Sequence, residues 1–306
     1  MRILLIGQAA FAAKVLEGVE AAGHRVVGVV CPPDRGDKID PAKAAASERG
    51  IPVHQFTSLK TPEARQAFEG AEADLAVLAY VTQIVPEPLL QLPRRSAVCF
   101  HPSLLPRYRG GSAIPWQLIR GETRTGVTVF WPDAGIDTGP ILLQREAPVG
   151  PDETAGTLYY QTLFPLGVQT VLDSVELIAG DRAPRVVQDE RKASYDPLLT
   201  DAHAGIDWQR PEAEVHNLIR GCDPQPGAYA TWQGKRLRLF EPRRVGGAAA
   251  PGTVLAVDAL GITVATAGGG VRCARARGDG SKAAAADVAV ALGMAPGARL
   301  DAGRAQ

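Results

Sequence analysis

The sequence has no paired cysteines. Its four, Cys31, Cys99, Cys222 and Cys273, are scattered over 306 residues with no C-x-x-C spacing, which argues against a disulfide-stapled secreted scaffold and fits a reducing cytoplasm. It has no excess of either charge. Lys+Arg and Asp+Glu are 33 each, for a formal net charge of +0, so binding of nucleic acid over the whole surface is disfavoured while a local basic patch stays open. No unbroken apolar run reaches the ~18 residues of a membrane span. The apolar start MRILLIGQAAFAAKVLEG is interrupted by Lys14 and Glu17 and punctuated at Gly7, unlike a signal peptide. No membrane association is therefore expected, and a cytoplasmic location is. Internal repeats and long low-complexity tracts are also missing. What remains is an ordinary globular composition, 45% hydrophobic and 22% charged, long enough for about two domains of ~100–200 residues.

The N-terminal part alternates strand and helix signals. Arg2–Ile6 is a short β-type run ending at Gly7. Ala9–Ala22 follows with Phe11, Val15, Leu16 and Val19 at helical spacing, and Arg25–Val30 is again β-type. Further strands are predicted at 74–79, 97–100 and 125–131. Short helical spacing covers 41–49, and a long helical region bent near Pro165 covers 153–179. This alternation predicts an α/β domain over residues 1–200, a mostly parallel, Rossmann-like sheet covered on both faces. Beyond residue 200 the texture changes. One helix over 211–220 precedes short β runs at 228–232, 236–240, 252–257 and 261–266, separated by Gly/Pro/Ala breaks at 246–252 and 268–270. Strands at this spacing predict a small barrel-like domain over 201–306, with an Ala/Gly-rich end that is helical and then frayed.

Several familiar motifs are absent. The first turn, Gly7-Gln8-Ala9-Ala10-Phe11-Ala12, lacks two of the three glycines of a dinucleotide fingerprint, so no NAD(P) is expected there. There is no P-loop, no H-E-x-x-H and no G-x-S-x-G elbow around Ser103 or Ser112, and no metal is expected.

Two segments carry chemistry instead. His101-Pro102-Ser103-Leu104-Leu105-Pro106-Arg107-Tyr108-Arg109-Gly110-Gly111 follows the strand at 97–100 directly. Ligands of open α/β sheets bind beyond the C-terminal ends of strands, and a histidine there is suited to proton transfer. Trp131-Pro132-Asp133-Ala134-Gly135-Ile136-Asp137-Thr138-Gly139-Pro140 follows the next strand and carries two carboxylates, Asp133 and Asp137. Either segment alone is compatible with plain turn chemistry. Together they place a histidine and a carboxylate on adjacent loops, where the carboxylate can orient the imidazole or position a water.

The motif pair HPSLLPRYRGGSA and DAGIDTGPILLQ resembles the formyltransferases that use 10-formyltetrahydrofolate. The likeness extends through MRILLIGQAAF, VVGVVCPPDRGDKIDP, YVTQIVPEPLLQLPR and DWQRPEAEVHNLIRGCDPQPGAYA to the C-terminal run PGTVLAVDALGITVATAGGGVRCARARGDGSKAAA. Within that family the sequence is most similar to the hydrolase domain of 10-formyltetrahydrofolate dehydrogenase. The loop after Pro33 is short and Phe130-Trp131 precedes the aspartate loop. Cys99 stands where the transferases have an asparagine.

The resemblance implies an OB-like C-terminal barrel and a folate partner, with 10-formyltetrahydrofolate as formyl donor. It implies that His101 donates a proton and stabilises an oxyanion, and that Asp137 accepts a proton from the attacking group. Gln83, Ile84 and Val85, with the loop from Asp133, would line the pterin pocket through backbone groups. Ser103, Leu104, Leu105 and Pro106 would shape the folate site. A thiol is a poorer donor than an amide, so Cys99 favours water or a small acceptor over an amine. A methionyl-tRNA formyltransferase is the alternative, with Arg236, Arg238, Arg243, Arg244, Arg272, Arg275 and Arg277 as phosphate contacts. A non-catalytic folate-binding module is the second alternative. Absence of the dehydrogenase portion implies no NADP-dependent oxidation by this chain.

Overall fold

A computed structural model describes residues 1–34 and 36–303. These residues pack as two compact units, the first formed by 1–111, 126–147 and 161–195, the second by 112–125, 148–160 and 196 onward.

The first unit is built on seven strands: β1 (Arg2–Gly7), β2 (Arg25–Cys31), β3 (Val53–Gln55), β4 (Leu75–Ala79), β5 (Ala97–His101), β6 (Arg124–Phe130) and β7 (Ile141–Pro148). Their order is β3-β2-β1-β4-β5-β6-β7. The pairs from β3 through β5 are parallel and β5 pairs antiparallel with β6. The order reverses at β1, where a switch point opens between β1 and β4. Helices α1 (Ala9–Ala21), α2 (Pro41–Glu48), α3 (Pro62–Gly70) and α4 (Glu87–Leu90) join the parallel strands. The buried face of α1 is Phe11, Val15, Leu16 and Val19, the spacing seen in the sequence.

The predicted bend near Pro165 has a local cause. Helix α5 (Ala113–Ile119) and the short α6 (Ala155–Leu158) come first; a π-helical turn, Tyr159–Leu163, then leads into α7 (Phe164–Ala179), with Pro165 in its first turn. Proline is tolerated there because its missing N–H has no helical partner to lose. The 25-residue helical run Ala155–Ala179 is long and apolar enough to cross a membrane on length and composition alone. Within the first unit, however, Val171, Val175 and Ile178 of α7 are buried, Asp173 pairs with Arg145, and Glu176 with His24, as in a core helix. Phe100 of β5 stacks on Phe11 at 4.4 Å, and Phe11 meets Phe164 edge-on at 5.4 Å. Gly167 makes room for them: a Cβ there would come within 2.5 Å of the Phe100 ring. The Phe100 side chain, next to His101, thereby packs against both α1 and α7.

The second unit contains α8 (Glu212–Gly221), β8 (Ala228–Trp232), β9 (Lys235–Val245), β10 (Val254–Asp258), β11 (Gly261–Thr266), β12 (Gly269–Arg277), β13 (Ala283–Ala284) and α9 (Ala285–Ala291). Its antiparallel sheet runs β10-β11-β12-β9-β8, with β13 on β12. One core, including Ile219, Tyr229, Leu239, Ile262, Val271 and Ala289, joins the sheet to α8 and α9. Of the break expected at 268–270, Gly268 forms the turn, φ 87°, while Gly269 and Gly270 already belong to β12, pairing with Thr266 and Ala265 of β11.

His216 on α8 is 2% exposed and lies 3.2 Å from Asp152. Burial, helped by Arg220, lowers its pKa below the ordinary value. The folded state therefore binds fewer protons than the unfolded chain, and stability present above about pH 6.5 is lost as pH falls through the lowered pKa. Urea midpoints should drop between pH 7.5 and 5, and by less in His216→Gln. Equal pH slopes for the two proteins would sink this prediction.

Candidate active site

The first unit carries a histidine–carboxylate site at the C-terminal end of β5. His101 closes β5 opposite Thr128 of β6 and is 6% exposed. Its Nε2 lies 2.7 Å from the backbone oxygen of Tyr108. A carbonyl only accepts, so Nε2 carries a hydrogen and Nδ1 is the nitrogen that gains or gives up a proton. Nδ1 faces Asp137 Oδ2 at 3.5 Å. The two ring nitrogens thus face a carbonyl and a carboxylate.

The loop after His101 is fixed from beneath by Thr128. Its hydroxyl donates to the Ser103 oxygen at 2.6 Å and accepts from Leu105 N at 3.3 Å and from Gln144 Nε2 at 2.8 Å. Ser103, fully buried, donates its hydroxyl to the Arg107 oxygen. Tyr108 has φ 59°, and its N–H donates to Ser194 Oγ at 2.8 Å. The left-handed turn at Tyr108 thus carries the carbonyl that His101 uses.

The aspartate loop closes on itself, Trp131 N–H donating to the Pro140 oxygen at 2.9 Å. Asp133 holds the turn inside it, accepting from Gly135 N and the Thr138 hydroxyl at 3.0 and 2.5 Å. Asp137 has φ 56°, a conformation rare for non-glycine residues though more common for aspartate. Its Oδ2 accepts the Gly110 N–H at 2.8 Å. Behind the loop, Gln188 donates to the Asp137 and Gly139 carbonyls and accepts from Arg109, which is paired through two nitrogens with Glu190. That ion pair holds the Glu190 carboxyl below its ordinary pKa.

Among the expected site residues, His101 and Asp137 are brought face to face. Ser103 and Leu105 are buried within the histidine loop, with Leu104 and Pro106 half-buried between and beside them. Asp133 is exposed and holds its own turn. Gln83 borders a small open pocket at the switch point, with Gly7, Gln8, Cys31 and Tyr80, and its amide donates to the Phe56 oxygen. Ile84 is 74% exposed, while the Val85 side chain packs into the core. The first turn does not offer its leading amide to a phosphate, because both oxygens of Asp40 already accept from Ala9 N at 3.1 and 2.9 Å. Among the described residues no group of His, Cys, Asp and Glu is arranged to hold a metal ion.

The two cysteines beside these features are poor nucleophiles. Burial, with Asp40 and Asp34 adding, pushes the Cys31 thiol up to about 11. Burial and then Asp137 raise Cys99 further. The Cys99 thiol also lies 3.6 Å from the Phe100 oxygen and donates to it. In the second unit the basic residues are mostly neutralised: Arg236 and Arg238 share Asp201, Arg243 faces Asp152, Arg244 pairs with Glu212, and Arg272 lies 3.8 Å from Asp258.

The mostly parallel sheet with an acid–base pair beyond its strands, followed by an antiparallel-sheet unit, is the organisation of one family of formyl-transferring enzymes. The chain belongs to the formyl transferase family: residues 1–169 match the formyl transferase domain and 198–291 its C-terminal domain. It is 36% identical over 307 residues to methionyl-tRNA formyltransferase of Geobacter sulfurreducens, covering 98% of this chain and 96% of that protein. It is 42% identical over 245 residues to cytosolic 10-formyltetrahydrofolate dehydrogenase of Xenopus laevis, covering 78% of this chain but only 27% of the dehydrogenase. In fold it resembles HypX from Aquifex aeolicus in complex with tetrahydrofolic acid, with TM-score 0.68, 20% identity, and 95% and 47% of the two chains covered. It also resembles an N-formyltransferase from Helicobacter canadensis, with TM-score 0.68, 17% identity, and 89% and 98% covered.

Sequence reasoning missed Arg109, Gln188, Glu190, Thr128 and Gln144 as parts of the site. Gln188 and Glu190 lie outside any long helix or strand, so no periodicity marks them. Thr128 reads only as a strand residue, and Gln144 lies in a strand the sequence did not reveal; the hydrogen bond between them shows their part in the site.

Proposed function

We propose that the chain removes the formyl group of 10-formyltetrahydrofolate by acyl transfer, to water or to a small acceptor. The observation that carries this reading is the His101–Asp137 pair flanked by Cys99. The Cys99 thiol is a weak donor and is already directed at the Phe100 carbonyl, so an oxyanion is left chiefly to His101. A side-chain donor at a developing oxyanion is worth about 2.7–4 kcal/mol; Cys99 standing where the transferases carry an asparagine donor supports the hydrolase-like reading over formylation of an amine.

Water attacks the formyl carbon and Asp137 takes its proton. Asp137 Oδ1 accepts no hydrogen bond among the described residues and is the oxygen available for this, Oδ2 being held by Gly110. His101 stabilises the tetrahedral oxyanion from Nδ1 and passes its proton to the departing folate nitrogen as the C–N bond breaks. Formate and tetrahydrofolate result. The donor's ring system would lie along Gln83 and Ile84 and the loop from Asp133, with Ser103 to Pro106 shaping the floor.

The second reading is methionyl-tRNA formyltransferase, favoured by the match over nearly the full length of that enzyme. Against it, five of the seven arginines named for phosphate contact already face carboxylates. Purified protein given 10-formyltetrahydrofolate should release formate without tRNA. Product that forms only when methionyl-tRNA is supplied would replace the first reading by the second. Folate binding with neither product would leave a binding module.

A further inference from the structure

We propose that Gln188 is the positioning residue that holds Asp137 in its working conformation, an inference that rests on Asp137 being the proton acceptor. Gln188 is 5% exposed and belongs to no helix or strand. Its Nε2 donates to the carbonyl of Asp137 at 2.9 Å and to that of Gly139 at 2.7 Å. Its Oε1 accepts from Arg109 Nη2 at 2.9 Å. The amide cannot be turned round: two carbonyls only accept and a guanidinium only donates. Arg109 is itself fixed, its Nη1 and Nη2 lying 2.9 and 2.6 Å from the two oxygens of Glu190.

The chain through Asp137 is left-handed, φ 56°, a state that persists only where its surroundings impose it. Two ties do so. On the side chain, Oδ2 takes the Gly110 N–H; on the main chain, Gln188 takes the carbonyl. The first is made by the carboxylate that does the chemistry, so the second decides whether that carboxylate stays 3.5 Å from His101 Nδ1. Gln188 reaches the reacting groups only through Asp137 and is not itself a catalytic residue. Its loss should therefore lower kcat while leaving donor binding in place.

The test uses the full chain with Gln188→Ala and Gln188→Glu. In Gln188→Ala, hydrogen exchange at the Gly110 amide, whose acceptor is Asp137, should quicken at least tenfold. With 10-formyltetrahydrofolate, kcat should fall about 10–100-fold and KM stay within about threefold. Gln188→Glu keeps an acceptor for Arg109 but turns a carboxylate oxygen toward two carbonyl oxygens, and an ionised carboxylate only accepts. Its kcat should fall at least as far as that of Gln188→Ala. Unchanged exchange at Gly110, or wild-type kcat in Gln188→Ala, overturns the proposal. If Gln188→Ala does not fold, wild-type kcat in Gln188→Glu overturns it. Full turnover in Asp137→Ala would instead refute the role given to Asp137, and the exchange result reads the positioning independently of turnover.

Discussion

Replacing Asp137 by alanine is expected to lower release of tetrahydrofolate from 10-formyltetrahydrofolate by about 10²–10⁴-fold, the usual worth of a positioned acid–base group. The substitution removes the acceptor for the attacking water's proton and the anion facing His101 Nδ1 at 3.5 Å. It also leaves the Gly110 N–H without its partner, a cost of about 1–3 kcal/mol if the amide stays dry, so the variant should melt lower yet remain folded. A true catalytic loss appears as a fall in kcat with the melting transition still cooperative. Asp137→Asn separates the two contributions. It keeps an oxygen for Gly110 and should recover the stability without recovering turnover. Near-normal turnover in either variant would end the mechanism proposed here.

The second large effect is expected at Gly139. A Cβ at this position would lie 1.8 Å from the Trp131 carbonyl oxygen and 2.9 Å from its carbon. Both are backbone atoms that no rotamer change can move. Gly139→Ala therefore has to open the loop that Trp131 and Pro140 close, or displace the carbonyl that Gln188 holds. The expected cost is about 3 kcal/mol, typical of forced overpacking, together with loss of turnover because Asp137 sits two residues away. Thermal melting and single-turnover assays check both. A melting temperature within about 1 °C of wild type would show that the loop yields without penalty.

The fold and the centre of the site were readable in the sequence for identifiable reasons. β1, α1 and β2 declare themselves through unbroken apolar runs and helical spacing, because both faces of a parallel sheet are buried. Ala228–Trp232 and Gly261–Thr266 appear with the bounds the sequence predicted. β3 is only three residues long and β7 follows a proline-rich turn, so neither offered a period to read. His101 and Asp137 stand in segments dense with Pro and Gly, where an ionisable residue is conspicuous. The apparatus that holds them was not readable. Gln188 lies 51 residues from Asp137 and Glu190 lies 81 from Arg109, and only tertiary packing brings the pairs together.

The partner of His101 Nε2 is a main-chain oxygen, that of Tyr108. The imidazole's tautomer is consequently encoded by a backbone turn rather than by a neighbouring side chain, and no exchange of one side chain for another deletes the acceptor. Position 108 has to tolerate positive φ and also fill a buried site, Tyr108 being 4% exposed. Asparagine or glycine should keep the acceptor in place at a cost in packing, whereas a β-branched residue should displace it. Drift in this loop is then filtered by conformation, and the proton inventory of the histidine is inherited with the shape of the chain.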